Sequence, residues 1–443
     1  MPHPLLDRSA PDLAAALRSG AVSAADLASA CLDRIAAREP DIAAWTFLDA
    51  DKAMADARAL DVQRALGRPL GPLHGLPVGV KDIIDTFDMP TENGTPVHRG
   101  RRPAADATLV ARLRAAGALV LGKTVTSELA VYTPGPTRNP HDLARTPGGS
   151  SSGSAAAVAA GMVPLALATQ TNGSTIRPAS FCGIVGYKPS LGLLPRTGVL
   201  KQCFILDQPG LMARDLAGAA LLAEALAGAD PADEASRDPG FSFPAALAGP
   251  LPAPRLAFVR GPYWEQADAS AREALDDFVA GLGGTAETME PPPAFASAAA
   301  IHKVLMNAGI AEAFGPDYDR ARDQLSSVVT GIVEAGRALS AVDFVAALSA
   351  REALRTAFAQ LFAGYDAVVT PAALGVAPPR EDGTGNPIMA TTWTLLGAPA
   401  LTLPLLRGAG ALPLGVQLVG HPGEDRRLLR AAAWLERQPS PFL

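Results

Sequence analysis

Two serine-containing loops lie on either side of an apolar stretch near the middle of the chain. The first loop is GGSSSG at 148–153 and the second loop is TNGS at 171–174. Between them, residues 155–160 are typical of a short helix and residues 163–168 of a buried strand. Glycine- and serine-rich tracts are most often flexible linkers, but the apolar flanks of these loops argue against a linker. The pattern favours a helix–strand unit that brings two hydroxyl groups together.

A serine hydroxyl needs a base before it can attack a carbonyl carbon, and Lys81 is a candidate for that base. It ends the apolar run LPVGVK at 76–81, which predicts a buried strand. A neutral lysine replaces histidine in some serine hydrolases, provided that burial lowers its pKa far enough to free the amine. A lysine exposed to solvent at the end of a strand is the alternative interpretation.

Two further motifs match known patterns by their letters alone. GALVLGKT at 117–124 fits the phosphate-binding pattern GxxxxGK[ST], but its variable residues are apolar and predict a strand, whereas a phosphate loop follows the end of a strand. GSSSG at 149–153 fits the nucleophile elbow GxSxG, which needs a buried strand before it. The preceding NPHDLARTP predicts no strand, although His302 and His421 stay open as candidate bases for such an elbow.

Helical and strand patterns alternate around these motifs. Residues 5–66 repeat apolar positions near the helical period and predict helices, with Ser23 as an N-cap. A helix over 108–116 and a strand over 118–121 follow. This alternation predicts an α/β fold with a mostly parallel or mixed twisted sheet covered by helices on both faces. Residues 229–300, rich in proline, predict irregular structure, and residues 296–362 predict helices.

The bulk properties argue against several classes of protein. The chain has 443 residues, 38 of them basic and 44 acidic, which gives a net charge of −6. This mild acidity gives no electrostatic reason to bind nucleic acid, so we predict no nucleic-acid partner. Three scattered cysteines predict neither a disulfide framework nor a zinc site, and we expect no metal and no cofactor. Without a signal-peptide pattern or a long uninterrupted apolar run, the chain is expected to be cytoplasmic and to have no membrane partner.

Longer stretches around the loops resemble the amidase signature family, whose members use a Ser–cis-Ser–Lys triad. The resemblance lies in GGSSSGSAAAVAAG (148–161), TQTNGSTIRPASFCGIVGYKPS (169–190), LHGLPVGVKD (73–82) and LGAPALTLP (396–404). It covers roughly 70–215 and 365–435 well and 216–364 hardly at all. It implies an N-terminal helical segment (1–66) packed on an amidase signature α/β/α domain (67–443), with a variable, mainly helical substrate-side region at about 229–362.

The resemblance also implies catalytic roles for individual residues. The family's nucleophile lies four residues before a proline, which makes it Ser174 here. Its bridging serine is the first after a double glycine, Ser150, and its base is the lysine of the Val-Lys-Asp strand, Lys81. Its oxyanion hole consists of backbone N–H groups, which successive residues of a glycine-containing turn can aim at one point. The corresponding residues are Thr171, Asn172, Gly173 and Ser174, although many members have glycine in place of Asn172.

The substrate is less well defined by the resemblance. Arg177 stands where malonamidase-like members hold a substrate carboxylate, and its alternative role is to brace a loop carbonyl or an acidic side chain. Tyr132 and Thr133 are expected from their position to line the acyl pocket. The small-molecule substrate would be a carboxamide, an aryl amide or a carbamate, cleaved by a stand-alone bacterial-type amidase. Alternatives are a hydrolase of malonamate or urea-derived acids that uses Arg177, and the amidase subunit of a tRNA-dependent amidotransferase. The oligomeric state is left open, with a homodimer as one option.

Overall fold

The computed structural model describes residues 3–438 and contains one mixed sheet of 11 strands. The strands are β1 (Trp45–Leu48), β2 (Pro77–Lys81), β3 (Leu119–Thr124), β4 (Leu165–Gln170), β5 (Val185–Lys188), β6 (Gln208–Ala213), β7 (Leu256–Val259), β8 (Ala286–Met289), β9 (Ala367–Pro371), β10 (Ala400–Arg407) and β11 (Pro413–Val419). Their order across the sheet is β1-β3-β2-β4-β6-β5-β10-β11-β9-β7-β8. Six neighbouring pairs are antiparallel and four are parallel. The sheet is therefore mixed rather than mostly parallel.

Helices flank this sheet, which confirms the predicted α/β class. The α-helices of the described chain are α1 (Ala10–Ser19), α2 (Ala24–Ile42), α3 (Ala50–Ala65), α4 (Thr108–Ala115), α5 (Ser152–Ala159), α6 (Ile176–Cys182), α7 (Leu216–Leu226), α8 (Phe243–Ala246), α9 (Ala269–Gly281), α10 (Ala298–Ala321), α11 (Ser327–Arg337), α12 (Ala341–Phe362), α13 (Ile388–Leu395) and α14 (Asp425–Glu436). The predicted helix–strand unit between the two loops is α5 followed by β4. The predicted cap is present as well, since Ser23 Oγ accepts a hydrogen bond from Asp26 N at 2.9 Å.

The sheet differs from the prediction at two places. The predicted helical stretch 5–66 is interrupted by β1, which pairs antiparallel with β3 at one edge of the sheet. The prediction of irregular structure over 229–300 is wrong in part, because β7 and β8 extend the other edge of the sheet and α9 lies between them. Each of these strands has four residues, LAFV and AETM, and neither alternates apolar with polar positions, so the strand pattern is missing from the sequence.

One helical stretch has enough length and apolar character to be compared with a membrane span. Residues Pro293–Gln324 pass that test on length and composition alone. Within this stretch, α10 buries Leu305, Ile310 and Phe314 in a hydrophobic cluster and packs against α11, α12 and α13. Burial of this kind is what a core helix shows, so the stretch is weak support for a span.

Candidate active site

Lys81 lies at the end of β2 with two hydroxyl groups around its amine. Its Nζ donates to Ser150 Oγ at 2.7 Å and to Thr169 Oγ1 at 2.7 Å. The side chain is fully buried, which contradicts the alternative of a solvent-exposed lysine. Burial lowers the pKa of Lys81 well below its usual value, and the Asp207 carboxylate only partly opposes this effect. The amine is therefore able to become neutral and to accept a proton.

Ser150 is held by contacts of its own backbone and of the residue before it. The peptide bond Gly149–Ser150 is cis. The carbonyl of Ser150 accepts a hydrogen bond from Ser127 N at 3.1 Å, and the carbonyl of Gly149 accepts one from Arg177 Nη2 at 2.7 Å. Gly149 has no room for a side chain, because a Cβ there would lie 2.8 Å from Thr384 Cγ2. The first loop is therefore fixed from both sides.

The second loop joins β4 to α6, and Gln170 closes the turn around Ser174. The Gln170 side-chain oxygen accepts from Thr175 N at 2.9 Å and from Ile176 N at 3.0 Å. Its side-chain nitrogen donates to Thr394 Oγ1 at 2.9 Å. Ser174 itself is 9% exposed, and within the described chain its hydroxyl has no hydrogen-bond partner. A buried but unengaged hydroxyl at a tight turn is available to react.

The backbone N–H groups and the backbone carbonyl groups of the second loop differ in their hydrogen bonding. The N–H groups of Asn172, Gly173 and Ser174 donate to no acceptor among residues 3–438. The three carbonyls that precede them are all bonded, and their donors are His302 Nε2 to Thr171 O at 2.9 Å, Thr394 Oγ1 to Asn172 O at 2.5 Å, and Arg177 N to Gly173 O at 3.0 Å. Three adjacent N–H groups without protein partners could stabilise a developing oxyanion.

The other residue assigned to this loop, Thr171, is held through its side chain. Its hydroxyl lies 2.6 Å from both Asp207 Oδ1 and Gln202 Oε1. Burial raises the pKa of Asp207 to about 6, and the Thr171 hydroxyl works against that rise. These contacts hold the start of the second loop in place.

Asn172 is placed by its side chain rather than by its backbone. It does not belong to the residues with positive φ, so the turn does not require the left-handed conformation that asparagine tolerates. Its Oδ1 accepts from Thr391 Oγ1 at 2.7 Å, and its Nδ2 donates to the Tyr132 hydroxyl at 3.2 Å. The departure from glycine at this position therefore adds a polar side chain that orients Tyr132.

Tyr132 and Thr133 lie in different cavities. Tyr132 and Asn172 line a cavity of about 570 Å³, whose other walls come from α10, α11 and α13. Thr133 instead lines a second cavity of about 650 Å³, and its hydroxyl lies 2.8 Å from Ser326 Oγ. Of the two residues expected to line the acyl pocket, only Tyr132 reaches the cavity that adjoins the second loop.

Arg177 is a buried cation without a carboxylate partner in the described chain. Its Nη2 donates to Gly149 O at 2.7 Å and to Thr384 Oγ1 at 3.3 Å. It therefore braces a loop carbonyl, and it does not pair with Asp82 or Glu128. Among residues 3–438, its Nε and Nη1 have no hydrogen-bond partner although both atoms are buried. Burial lowers the pKa of Arg177 to about 10. These two N–H groups leave capacity for an anion.

The two letter-only motifs have structural roles. The last six residues of GALVLGKT form β3 (Leu119–Thr124). Lys123 in this strand is buried, and its Nζ donates to Ile84 O at 2.6 Å. Within the described residues, neither candidate histidine is hydrogen-bonded to a serine of the GSSSG motif. His302 is bonded to the second loop, and His421 stacks on Phe358 with ring centroids 5.9 Å apart. No group of three or more histidine, cysteine, aspartate or glutamate side chains that could hold a metal occurs within residues 3–438.

Several contacts around the site were not predicted from the sequence. They involve Thr169, Gln170, Asp207, Thr394 and His302, which the sequence offered only as a candidate base and not as a partner of the second loop. Thr169 and Gln170 lie inside the motif that carries the resemblance, and their polar side chains in an otherwise apolar strand were a signal that could have been used. His302 and Thr394 have no such signal, because each meets the loop across more than 100 residues of sequence.

Among curated proteins, the chain is similar to components of a tRNA-dependent enzyme. It is 35% identical to a glutamyl-tRNA(Gln) amidotransferase subunit from Anaeromyxobacter sp. (strain K), over 97% of this chain and 95% of that protein. It is 36% identical to the protein of the same name from Salinispora arenicola (strain CNS-205), over 99% and 98% respectively.

These relatives contradict the exclusion of a nucleic-acid partner. That exclusion was drawn from a net charge of −6, yet the relatives belong by name to an enzyme that acts on tRNA. The inference was wrong because the charge of one chain does not determine what an assembly containing that chain binds.

Solved structures with similar folds include a peptide amidase. A chain from a vestigial protein complex that reveals the evolutionary origins of an s-triazine catabolic enzyme superposes with a TM-score of 0.91 at 32% identity, covering 97% of this chain and 98% of that one. The native peptide amidase from Stenotrophomonas maltophilia superposes with a TM-score of 0.86 at 30% identity, covering 100% of both chains. The family model Amidase matches residues 26–429. The chain is therefore an enzyme of the amidase family, the group that carries the amidase signature.

Proposed function

We propose that this enzyme cleaves the C–N bond of a carboxamide through an acyl-enzyme on Ser174, with Ser150 and Lys81 as the proton relay. One observation carries the proposal: the buried Lys81 amine lies 2.7 Å from Ser150 Oγ. The unpartnered N–H groups of the second loop, considered among the described residues, add a place for the oxyanion.

The proposed reaction uses these groups in turn. Neutral Lys81 takes the proton of Ser150 along their 2.7 Å contact, and Ser150 takes the proton of Ser174, whose oxygen attacks the carbonyl carbon. The tetrahedral oxyanion faces the N–H groups of the second loop, which stabilise it. The C–N bond then breaks as Ser150 passes a proton to the departing nitrogen and recovers one from Lys81. Water repeats the relay on the ester and releases a carboxylic acid.

Serine substitutions and a mechanism-based probe test this assignment without a known substrate. A fluorophosphonate forms a covalent adduct with an activated serine, and mass spectrometry identifies the serine. We expect the label on Ser174, none after Ser174→Ala, and labelling slowed by about 10²-fold or more after Ser150→Ala. Ser152→Ala is the matched control from the same loop, since in the described chain Ser152 Oγ donates only to Val125 O, at 3.4 Å. Labelling at another serine would refute the proposal.

The cavity that Tyr132 and Asn172 line supports neutral or anionic amides as the substrate class. None of the described residues that line it is acidic, whereas Lys303 lies on its wall. A cationic substrate would therefore find no counter-charge there. Nε and Nη1 of Arg177, which have no partner within the described chain, support carboxylate-bearing amides such as malonamate in particular. Comparing turnover of malonamate with that of butyramide tests this preference.

A second candidate function is that of the amidase subunit of a tRNA-dependent amidotransferase. Its support is the similarity to the glutamyl-tRNA(Gln) amidotransferase relatives over nearly their full length, at 35% and 36% identity. In that role the ammonia released when Ser174 attacks the amide would be transferred to an acceptor instead of diffusing into the solvent. The two candidates differ in an affinity purification of the tagged chain from its native cells. Co-purifying subunits together with tRNA, and hydrolysis of glutamine, would favour the amidotransferase, whereas an isolated chain that turns over malonamate or butyramide would favour the stand-alone enzyme.

A further inference from the structure

Two side chains from separate helices hold the carbonyl side of the second loop. His302, on α10, donates through Nε2 to Thr171 O at 2.9 Å. Thr394, on α13, donates through Oγ1 to Asn172 O at 2.5 Å. Both side chains are buried, with His302 2% exposed and Thr394 fully covered, so neither bond competes with bulk water.

Peptide planarity passes this constraint to the opposite side of the loop. In a trans peptide the carbonyl and the N–H of the next residue lie in one plane and point in opposite directions. A bond that fixes the Thr171 carbonyl therefore fixes the Asn172 N–H, and a bond that fixes the Asn172 carbonyl fixes the Gly173 N–H. These are two of the three N–H groups of the second loop that donate to no acceptor among the described residues.

His302 is suited to this task rather than to proton transfer. A carbonyl can only accept, so Nε2 carries the proton and is occupied by Thr171 O. Burial lowers the pKa of His302 to about 4, which keeps the ring neutral at ordinary pH. The ring also lies on the wall of the cavity that Asn172 lines. Its described hydrogen bond goes to the loop backbone and to neither serine of the relay.

We infer that His302 and Thr394 are positioning residues that aim the N–H groups of Asn172 and Gly173 at the developing oxyanion. This inference rests on the proposed function, in which these groups stabilise the tetrahedral intermediate. Without the two side chains the peptide planes could rotate, and the donors would lose the fixed direction on which oxyanion stabilisation depends.

Paired substitutions at His302 separate positioning from packing. His302→Leu keeps the volume but cannot donate, whereas His302→Gln can place an amide N–H near the position of Nε2. We expect His302→Leu to slow fluorophosphonate labelling of Ser174 by about 10- to 100-fold. This loss is smaller than the decrease in kcat of about 10²- to 10³-fold that follows removal of an oxyanion donor itself. His302→Gln should recover most of that rate. The inhibition constant of phenylboronic acid, whose serine adduct is a tetrahedral anion, should rise in parallel for the leucine variant only.

Thr394 provides an independent pair. Thr394→Val removes the hydroxyl at constant shape, and Thr394→Ser keeps it, so only the valine variant should slow labelling and weaken boronate inhibition. Thr392→Val is the matched control on the same helix, because among residues 3–438 the Thr392 side chain makes no hydrogen bond to the second loop. Thermal unfolding of each variant verifies that the fold persists.

The outcomes distinguish this inference from the proposed function. Equal effects of leucine and glutamine at position 302, or of valine and serine at position 394, would overturn the positioning role while Ser174 remains the labelled residue. A wild-type enzyme that is not labelled at Ser174 would overturn the proposed function, and the inference would fall with it. Slower labelling with unchanged boronate inhibition would also refute the inference, because an aimed oxyanion donor must affect both.

Discussion

Replacing Lys81 by methionine tests the central assumption of the proposed mechanism, which is that a buried amine acts as the general base. The substitution keeps an unbranched side chain one atom shorter and removes the ionisable amine, along with its 2.7 Å contact to Ser150. A positioned general base contributes about 10²- to 10⁴-fold to a rate, which corresponds to about 3 to 5 kcal/mol of activation free energy. We expect a loss of kcat/KM in this range at neutral pH, and a smaller loss at high pH, where hydroxide partly replaces the amine.

The same substitution has a signature in stability. The folded-state pKa of Lys81 is lowered by burial, so between that pKa and about 10.5 the unfolded chain binds more protons than the folded chain. The free energy of unfolding of the wild-type enzyme therefore rises with pH across that window. Lys81→Met lacks this contribution, so its free energy of unfolding relative to the wild type should decline as pH rises toward 10.5.

The assay combines labelling and malonamate or butyramide turnover with urea unfolding at several pH values. Lys123→Met is the matched control, because Lys123 is buried on the neighbouring strand and donates to Ile84 O and Thr91 Oγ1 rather than to either relay serine. It should lose stability while its folded fraction keeps the wild-type rate. Wild-type activity in Lys81→Met, or equal activity losses in the two lysine variants, would refute the assignment of Lys81 as base.

Three further predictions concern other buried groups. Arg177→Met removes the two unpartnered N–H groups, so malonamate turnover should fall by about 10-fold or more beyond the loss for butyramide; equal losses would assign Arg177 to its loop carbonyl alone. Burial lowers the pKa of His302 to about 4 in the folded chain. As pH falls below about 6.5, the His302 side chain is therefore protonated in the unfolded chain before it is protonated in the folded one. The free energy of unfolding should decrease by up to about 3 kcal/mol by pH 4. Urea unfolding of His302→Gln should lack this loss, and an unchanged acid slope would contradict it. Tyr187→Phe removes the hydroxyl that donates to the buried Asp425 at 2.7 Å and should lower the free energy of unfolding by about 1 to 3 kcal/mol, whereas a neutral result in urea would show that this bond is replaceable.

The sequence predicted the parts of the site that are encoded locally. Lys81, Ser150 and Ser174 each lie in a short motif with its own pattern, and the structure brings the first two within hydrogen-bond distance of each other. The α/β class was predictable for the same reason, since periodic patterns mark single helices and strands. The role of Ser174 as nucleophile stays a prediction until a serine is labelled.

Long-range contacts account for what the sequence did not predict. His302 lies 131 positions from Thr171, and Thr394 lies 222 positions from Asn172, so no local pattern connects either pair. The separation of Tyr132 and Thr133 into two cavities was also unpredictable, because it depends on which side of the backbone meets α10 and which meets the residues near Ser326. The short β7 and β8 became visible only through their pairing with β9 and with each other.

The strand order has a consequence for how the chain is made. The first six strands form one continuous half of the sheet, and β5 joins the other half only when Ala400 pairs with Lys188. These residues are 400 − 188 = 212 positions apart, so a ribosome adding about 5 to 20 residues per second needs about 10 to 40 s to supply the missing partner. During that time the nascent half-sheet carries an unpaired edge, which is a template for aggregation. Heterologous production of this enzyme should therefore benefit from slow translation or from chaperones that cover the open edge.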